Sequence, residues 1–152
     1  MQIACYTGAR VHSLGLLRWE DIYQRNGIDI ILIKDRKNAR RKGKAVGEVL
    51  GREVVIEAEL LDILHHQPGE KKGLGFEKRF IDTLSTNIGD LSEALGEPRI
   101  TMSNFRSYRA TQLHLRGVPP KVYEQQMGHS TRVAERYYIQ VSVEDAARYV
   151  KG

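Results

Sequence analysis

The stretch RWEDIYQRNGIDIILIKDR, residues 18–36, constrains this chain more than any other. Asn26-Gly27 separates two runs rich in β-branched and aromatic residues, and Asn-Gly is the pair that best tolerates the positive φ angles of a two-residue hairpin turn. The reading is a strand over 18–23, a tight turn, and a second strand carrying Ile28, Ile30, Ile31 and Ile33. After a basic loop, REVVIEAELLDIL supplies a third short strand at 54–56 and then a helix with Leu60, Leu61 and Leu64 at helical spacing. Three antiparallel strands form only a small sheet, which needs a cover to be stable.

That cover has to come from the remainder of the chain, which reads as helical. Helices are predicted over 76–86, 91–95, 103–116 (stopped by Gly117), 120–127 (stopped by Gly128), 131–138 and 143–150. Residues 1–6 read as the end of a helix, and QPGEKKGLG at 67–75 as the one flexible connection. The last helix opens with Ser142 and Asp145 in capping-box spacing and carries Val143, Ala146, Ala147 and Val150 on one stripe, so it covers either its own core or a neighbouring subunit. With 152 residues and 41% hydrophobic content the chain supports one core. The fold class is α+β and mainly α-helical, a small three-stranded antiparallel sheet packed on a helical bundle, with residues 1–152 as one domain.

Composition excludes several classes. Cys5 is the lone cysteine, so the chain holds no internal disulfide and no cysteine-based zinc set, and a reducing compartment is expected. His65-His66 has no carboxylate cluster at ligand spacing and reads as the polar end of a helix, so no metal is expected. The longest apolar run, IDIILI, is too short to cross a bilayer, and the first nine residues lack a signal peptide's pattern; a cytoplasmic location follows. The formal charge of +5 and pI near 9.4 favour an acidic partner. Lys34, Arg36, Lys37, Arg40, Arg41, Lys42 and Lys44 crowd the link between the second and third strands. They form either a solvated loop tip or a finger that neutralises DNA phosphates, and charge alone does not choose.

Two further segments decide between these. TGARVHSLGLLRWEDI at 7–22 and SNFRSYRATQLHLRGVPPKVYEQQMGHSTRVAERYY at 103–138 together resemble the catalytic domain of the tyrosine recombinase (phage integrase) family. In that family Thr-Gly-x-Arg runs into Leu-x-Trp-x-Asp-Ile, and a His-x-x-Arg box precedes Gly-His-Ser and the nucleophilic tyrosine. The resemblance makes Arg10 the first catalytic arginine, Arg106 the second and His129 the histidine of the Gly-His-Ser box. Lys37 matches the hairpin lysine, with Lys34 and Arg40 as fallback candidates, and Lys34, Arg36, Arg40, Arg41 and Lys42 become DNA-binding. Helical periodicity does not separate Tyr137 from Tyr138. The family's spacing, nine residues beyond the histidine, falls on Tyr138, and leaves Tyr137 as a packing residue aligned with Val133.

The implied chemistry suits these residue types. A phenol with a pKa near 10 is a poor nucleophile toward an anionic diester. Two guanidiniums neutralise the diester and the charge that builds in the transition state, a histidine adds a hydrogen bond, and a lysine protonates the leaving 5′ oxygen. The resemblance thus implies strand breakage and rejoining through a 3′-phosphotyrosyl intermediate, without metal, ATP or other cofactor, on double-stranded DNA and within a tetramer of protomers. Two positions depart from the pattern. Ser103 stands where the second box has histidine, either as a weaker donor or as a helix cap, and Ser13 stands where a glutamate commonly follows the first arginine. The family's N-terminal core-binding domain has no counterpart here, which reads as a fragment of a longer integrase. The alternative is a catalytically impaired, DNA-binding relative of the recombinases.

Overall fold

The computed structural model describes residues 2–35, 50–66, 78–139 and 142–150. Helices α1 (Gln2–Thr7) and α2 (Val11–Leu14) lead into a 3-10 turn at Trp19–Asp21 and strand β1 (Ile22–Arg25). The predicted strand at 18–23 therefore begins later. The Asp21 carboxylate accepts the Arg18 backbone N–H at 2.9 Å and curls the chain before pairing begins. Strands β2 (Ile28–Asp35) and β3 (Leu50–Val55) complete an antiparallel sheet in the order β1-β2-β3. Asn26 (φ 53°) and Gly27 (φ 77°) occupy the predicted turn, and Arg25 pairs with Ile28 directly across it.

Register fixes which side chains share a face. Ile31 opposes Val54, Ile33 opposes Arg52 and Asp35 opposes Leu50. Successive residues of a strand point to opposite faces, so Ile31, Ile33 and Asp35 lie on one face with Val54 and Arg52. That face enters the main apolar cluster, where Ile31, Ile33 and Val54 meet Ala4, Leu14, Leu17, Leu60 and Leu64. Each fully buried Leu or Ile there contributes on the order of 1.5–3 kcal/mol. Lys34 is on the opposite face.

The helical cover follows as α3 (Ala58–His65), α4 (Lys78–Ala94), α5 (Met102–Leu115), α6 (Pro120–Met127), α7 (Thr131–Tyr137) and α8 (Val143–Val150). The two helices predicted over 76–86 and 91–95 are a single helix, because Gly89 does not break α4. A Cβ at Gly89 would lie 2.7 Å from the Arg99 guanidinium, which crosses there to reach Asp90 and Glu93. Glycine costs a helix about 1 kcal/mol relative to alanine, and here it leaves room for that guanidinium. Helix α5 starts at Met102 with Thr101 as N-cap and Asn104 returning the capping box, so Ser103 does not cap it. Gly117 and Gly128, at φ 66° and 68°, end their helices as predicted. Helix α6 also protects the β3 edge: the buried Gln126 accepts the Val55 N–H through its Oε1 at 3.2 Å. A second, smaller cluster unites Ala110, Leu113, Tyr123, Met127 and Ala134, with Tyr138 and Ile139 at its margin.

Glu57 ties the start of α3 to the C-terminal half of α5. From the N-cap of α3 its carboxylate accepts hydrogen bonds from the buried Arg109 and, at 3.1 Å, from Arg116. Burial alone would raise the Glu57 pKa, but Arg109 and then Arg116 reverse the effect and hold it below the ordinary carboxylate value. A carboxyl with a depressed folded pKa contributes stability that is present above its unfolded pKa and lost as pH falls through the folded one. Glu57→Gln should destabilise the domain at neutral pH by on the order of 2–3 kcal/mol, since Arg109 is left buried with a weaker partner. The loss should shrink below pH 4, as read by urea denaturation across pH.

Candidate active site

Four consecutive-pair carbonyls organise the site. Helices α1 and α6 end side by side, and the negative ends of both dipoles meet two arginines. Arg106, on α5 and buried, donates to the Gly8 carbonyl and to the Met127 carbonyl at 2.5 Å. Arg52, on β3, donates to the Thr7 carbonyl at 3.2 Å and to the Gln126 carbonyl. Both guanidiniums therefore bind the same two segments, one just before Arg10 and the other just before His129. Two glycines permit the approach. A Cβ at Gly8 (φ +61°) would lie 2.8 Å from the Met127 thioether, and one at Gly128 (φ +68°) would lie 2.8 Å from Arg52 Cδ.

Arg10 is the extended N-cap residue of α2, and its guanidinium donates to Asp35 Oδ2 at 2.5 Å. The other Asp35 oxygen lies 3.1 Å from His12 Nε2. Positive charge is dense here. Burial first, and then repulsion from Arg106 and Arg10, push Arg52 down to about 9, while Asp35 pulls it the other way. Burial and Arg10 likewise lower Arg106, and the Tyr138 phenol opposes them. The Arg106 Nε is buried without a hydrogen-bond partner.

His129 and Tyr138 complete the cluster. Tyr138 is the residue immediately after α7, acting as its C-cap, and its ring stacks on the His129 imidazole with centroids 4.9 Å apart and planes 23° apart. The Arg106 guanidinium carbon is 5.4 Å from the Tyr138 ring centroid. Tyr123 meets the other side of His129 edge-on at 5.7 Å, and burial raises its hydroxyl to about 12 against the pull of Arg106. The His129 Nδ1 lies 3.2 Å from the Ser130 carbonyl, which can only accept, so Nδ1 carries the proton and Nε2 the lone pair. Burial and the Arg106 charge hold His129 at about 4, so the ring is neutral at pH 7.

Arg10, Arg106, His129 and Tyr138, 128 positions apart at the extremes, thus lie in one constellation. Other candidates lie elsewhere. Tyr137 does not pack: it is 62% exposed with Arg136 over its ring, because α7 turns the Val133 and Tyr137 side outward and buries only Ala134. Ser103 is exposed one turn before Arg106, with its hydroxyl 2.7 Å from that of Thr101. The Lys34 ammonium is 2.6 Å from the buried Asp21 carboxylate, so this fallback donor is committed to an ion pair. Arg36, Lys37, Arg40, Arg41 and Lys42 lie outside the described residues. Arg52 and Asp35 are the residues that sequence reasoning overlooked. Their signal was phase: each is a charged residue on the same strand face as Ile31 and Ile33. Among the described residues no group of three or more His, Cys, Asp or Glu could hold a metal ion.

No protein-family profile and no curated protein sequence matches the chain. Solved structures do. The crystal structure of XerA recombinase superposes with a TM-score of 0.62 at 20% identity, covering 98% of this chain and 55% of that one. The post-cleavage complex of the XerH site-specific recombinase with palindromic difH substrate gives 0.64 at 18% identity, covering 99% and 43%. The catalytic domain of bacteriophage HP1 integrase gives 0.58 at 20% identity, covering 98% and 79%. The fold is that of a tyrosine recombinase catalytic domain. The chain spans about half the length of the XerA and XerH chains.

The state of His129 is directly measurable. Its NMR resonances should stay constant from pH 8 to 5.5 and titrate near 4. The unfolded chain takes up this proton at about pH 6.5, so the unfolded state binds more protons between the two values, and stability rises with pH across that window and is lost as pH falls through it. His129→Gln should remove that part of the slope in denaturation series. Titration of His129 above pH 6 would contradict the buried environment.

Proposed function

We propose that the chain is the catalytic domain of a site-specific DNA recombinase or integrase, with residues 1–152 forming that domain and double-stranded DNA as its substrate. The observation that supports this best is the convergence of Arg106 and His129 on Tyr138, with Arg10 in the same basic cluster, within a fold shared by recombinases. In this reading the Tyr138 oxygen attacks a backbone phosphorus, the phenolic proton departs, and the bond to the 5′ oxygen breaks. A 3′-phosphotyrosyl link and a 5′ hydroxyl result. A 5′ hydroxyl from another strand reverses the attack, so the bond energy is conserved without ATP or metal.

The residues divide the work by position. Arg10 and the unpartnered Nε of Arg106 counter charge on the nonbridging oxygens, where preorganised donors act most strongly. Neutral His129 presents a lone pair at Nε2 that accepts a proton from the phenol or, once protonated beside a phosphate, donates to it. Lys37 is assigned to the proton delivered to the 5′ oxygen, and Arg36, Arg40, Arg41 and Lys42 to phosphate contacts along the duplex. Further protomers assemble on the DNA to exchange strands. The second reading, DNA binding without strand transfer, rests on Ser103, whose exposed hydroxyl cannot move a proton as an imidazole does.

Trapping separates the two. The chain is incubated with a pool of randomised duplexes, nicked so that the short cleaved strand diffuses away, and a DNA-linked protein is sought on a denaturing gel. Tyr138→Phe should abolish the adduct and leave DNA affinity within about twofold, because only the nucleophilic oxygen is lost. Tyr137→Phe should retain it. An adduct mapped to Tyr137 or Tyr149, or binding without any adduct, would contradict the recombinase reading. Arg10→Ala and Arg106→Ala should each slow adduct formation by about a hundredfold to a thousandfold at saturating DNA. Parental rates in both would mean that these arginines serve the fold alone.

A further inference from the structure

The three guanidiniums of the site repel one another, and Arg10 is the least enclosed of them. Its side chain is 29% exposed, whereas Arg106 is 3% exposed and has two backbone carbonyls as acceptors. Arg10 is the extended N-cap residue of a four-residue helix, and its side chain makes no cap hydrogen bond to that helix. What holds it is Asp35. This carboxylate is 8% exposed, ends β2 on the core face of the sheet, and takes Arg10 NH1 at 2.5 Å and His12 Nε2 at 3.1 Å on its two oxygens. Asp35 also acts on Arg52, whose charge it favours.

We infer that Asp35, supplied from the sheet, is the positioning residue for Arg10. The inference deepens the recombinase reading and rests on it for its kinetic consequence. A buried carboxylate beside a phosphate site has two opposed effects. It orients Arg10, which favours the transition state, and it repels the DNA phosphate, which weakens ground-state binding. One residue therefore trades affinity for rate. A residue that merely stabilised the fold would lower both.

Asp35→Asn keeps the shape and removes the charge. In the full chain, with the randomised duplex pool, it should raise DNA affinity about threefold to tenfold by relieving like-charge repulsion. At saturating DNA it should slow adduct formation by about tenfold to a hundredfold, the effect of a displaced catalytic group. Asp35→Glu, which keeps the charge and moves the carboxylate, should restore parental affinity and only part of the rate. Combined with Arg10→Ala, Asp35→Asn should cause no further slowing, because it acts through Arg10. Additive slowing, or a fall in affinity together with the melting temperature, would overturn the inference. A second measurement needs no activity. The Arg10 guanidinium NMR resonances should be resolved in the parent, where the ion pair hinders rotation, and averaged in Asp35→Asn. If the parent forms no adduct the recombinase reading fails, and the resonances decide alone: averaging supports the pairing, and unchanged resonances overturn it.

Discussion

The site depends on two arginines that bind the ends of two helices together. Arg52 and Arg106 take the carbonyls of Thr7 and Gly8, the last residue of α1 and the one after it, and of Gln126 and Met127, the last two residues of α6. These carbonyls have no partner within their own helices, and each helix end carries a partial negative charge. A guanidinium satisfies both needs, since it is planar, charged and able to donate in two directions. Hydrogen bonds to a charged group contribute about 1.5–3 kcal/mol each, and the loss of either arginine leaves buried acceptors unmatched. The chain brings these arginines from unrelated elements, a strand and a helix, so the sheet and the bundle must both be folded before the staple closes.

This arrangement explains why functional groups from both ends of the sequence meet. Arg10 follows one stapled segment and His129 the other, so the distance between them is set by backbone hydrogen bonds more than by their own contacts. Burial in the same place has an electrostatic consequence. It lowers Arg52 and Arg106 and drives His129 to about 4, so the cluster is poised to gain from any anion that enters it. An anion beside the three guanidiniums would oppose the downward shifts.

Much of this was legible in the sequence where local chemistry decides the structure. Asn26-Gly27 specified the hairpin, Gly117 and Gly128 ended their helices, and the Thr-Gly-x-Arg and Gly-His-Ser segments marked the stretches that meet. Tertiary contacts decided the rest. Helix α4 runs unbroken where two helices were expected, with Arg99 lying across Gly89, and the Asp21 cap delays β1 behind a 3-10 turn. Tyr137 reads as a packing residue from its alignment with Val133, yet that whole side of α7 faces outward. Arg52 and Asp35 were hidden for a different reason. Strand alternation places both among core residues, and a pattern reader discounts charge there, although a charge in phase with a buried face is the strongest local sign that something must answer it.

The two apolar clusters bear on how this molecule comes apart. Arg10 lies between Ala9 and Val11 of the larger cluster, whereas Tyr138 packs against the smaller one of Ala110, Leu113, Tyr123, Met127 and Ala134, and His129 meets its Tyr123. Small clusters open at lower free energy than large ones, often as separate cooperative units. Opening of the smaller cluster ahead of the sheet would have to break the hydrogen bonds of Arg52 and Arg106 to Gln126 and Met127. Such an opening would part Tyr138 from Arg106, whose guanidinium carbon lies 5.4 Å from its ring centroid. Amide exchange in α7 would accordingly report how often the site is assembled, a quantity separate from how stable the domain is.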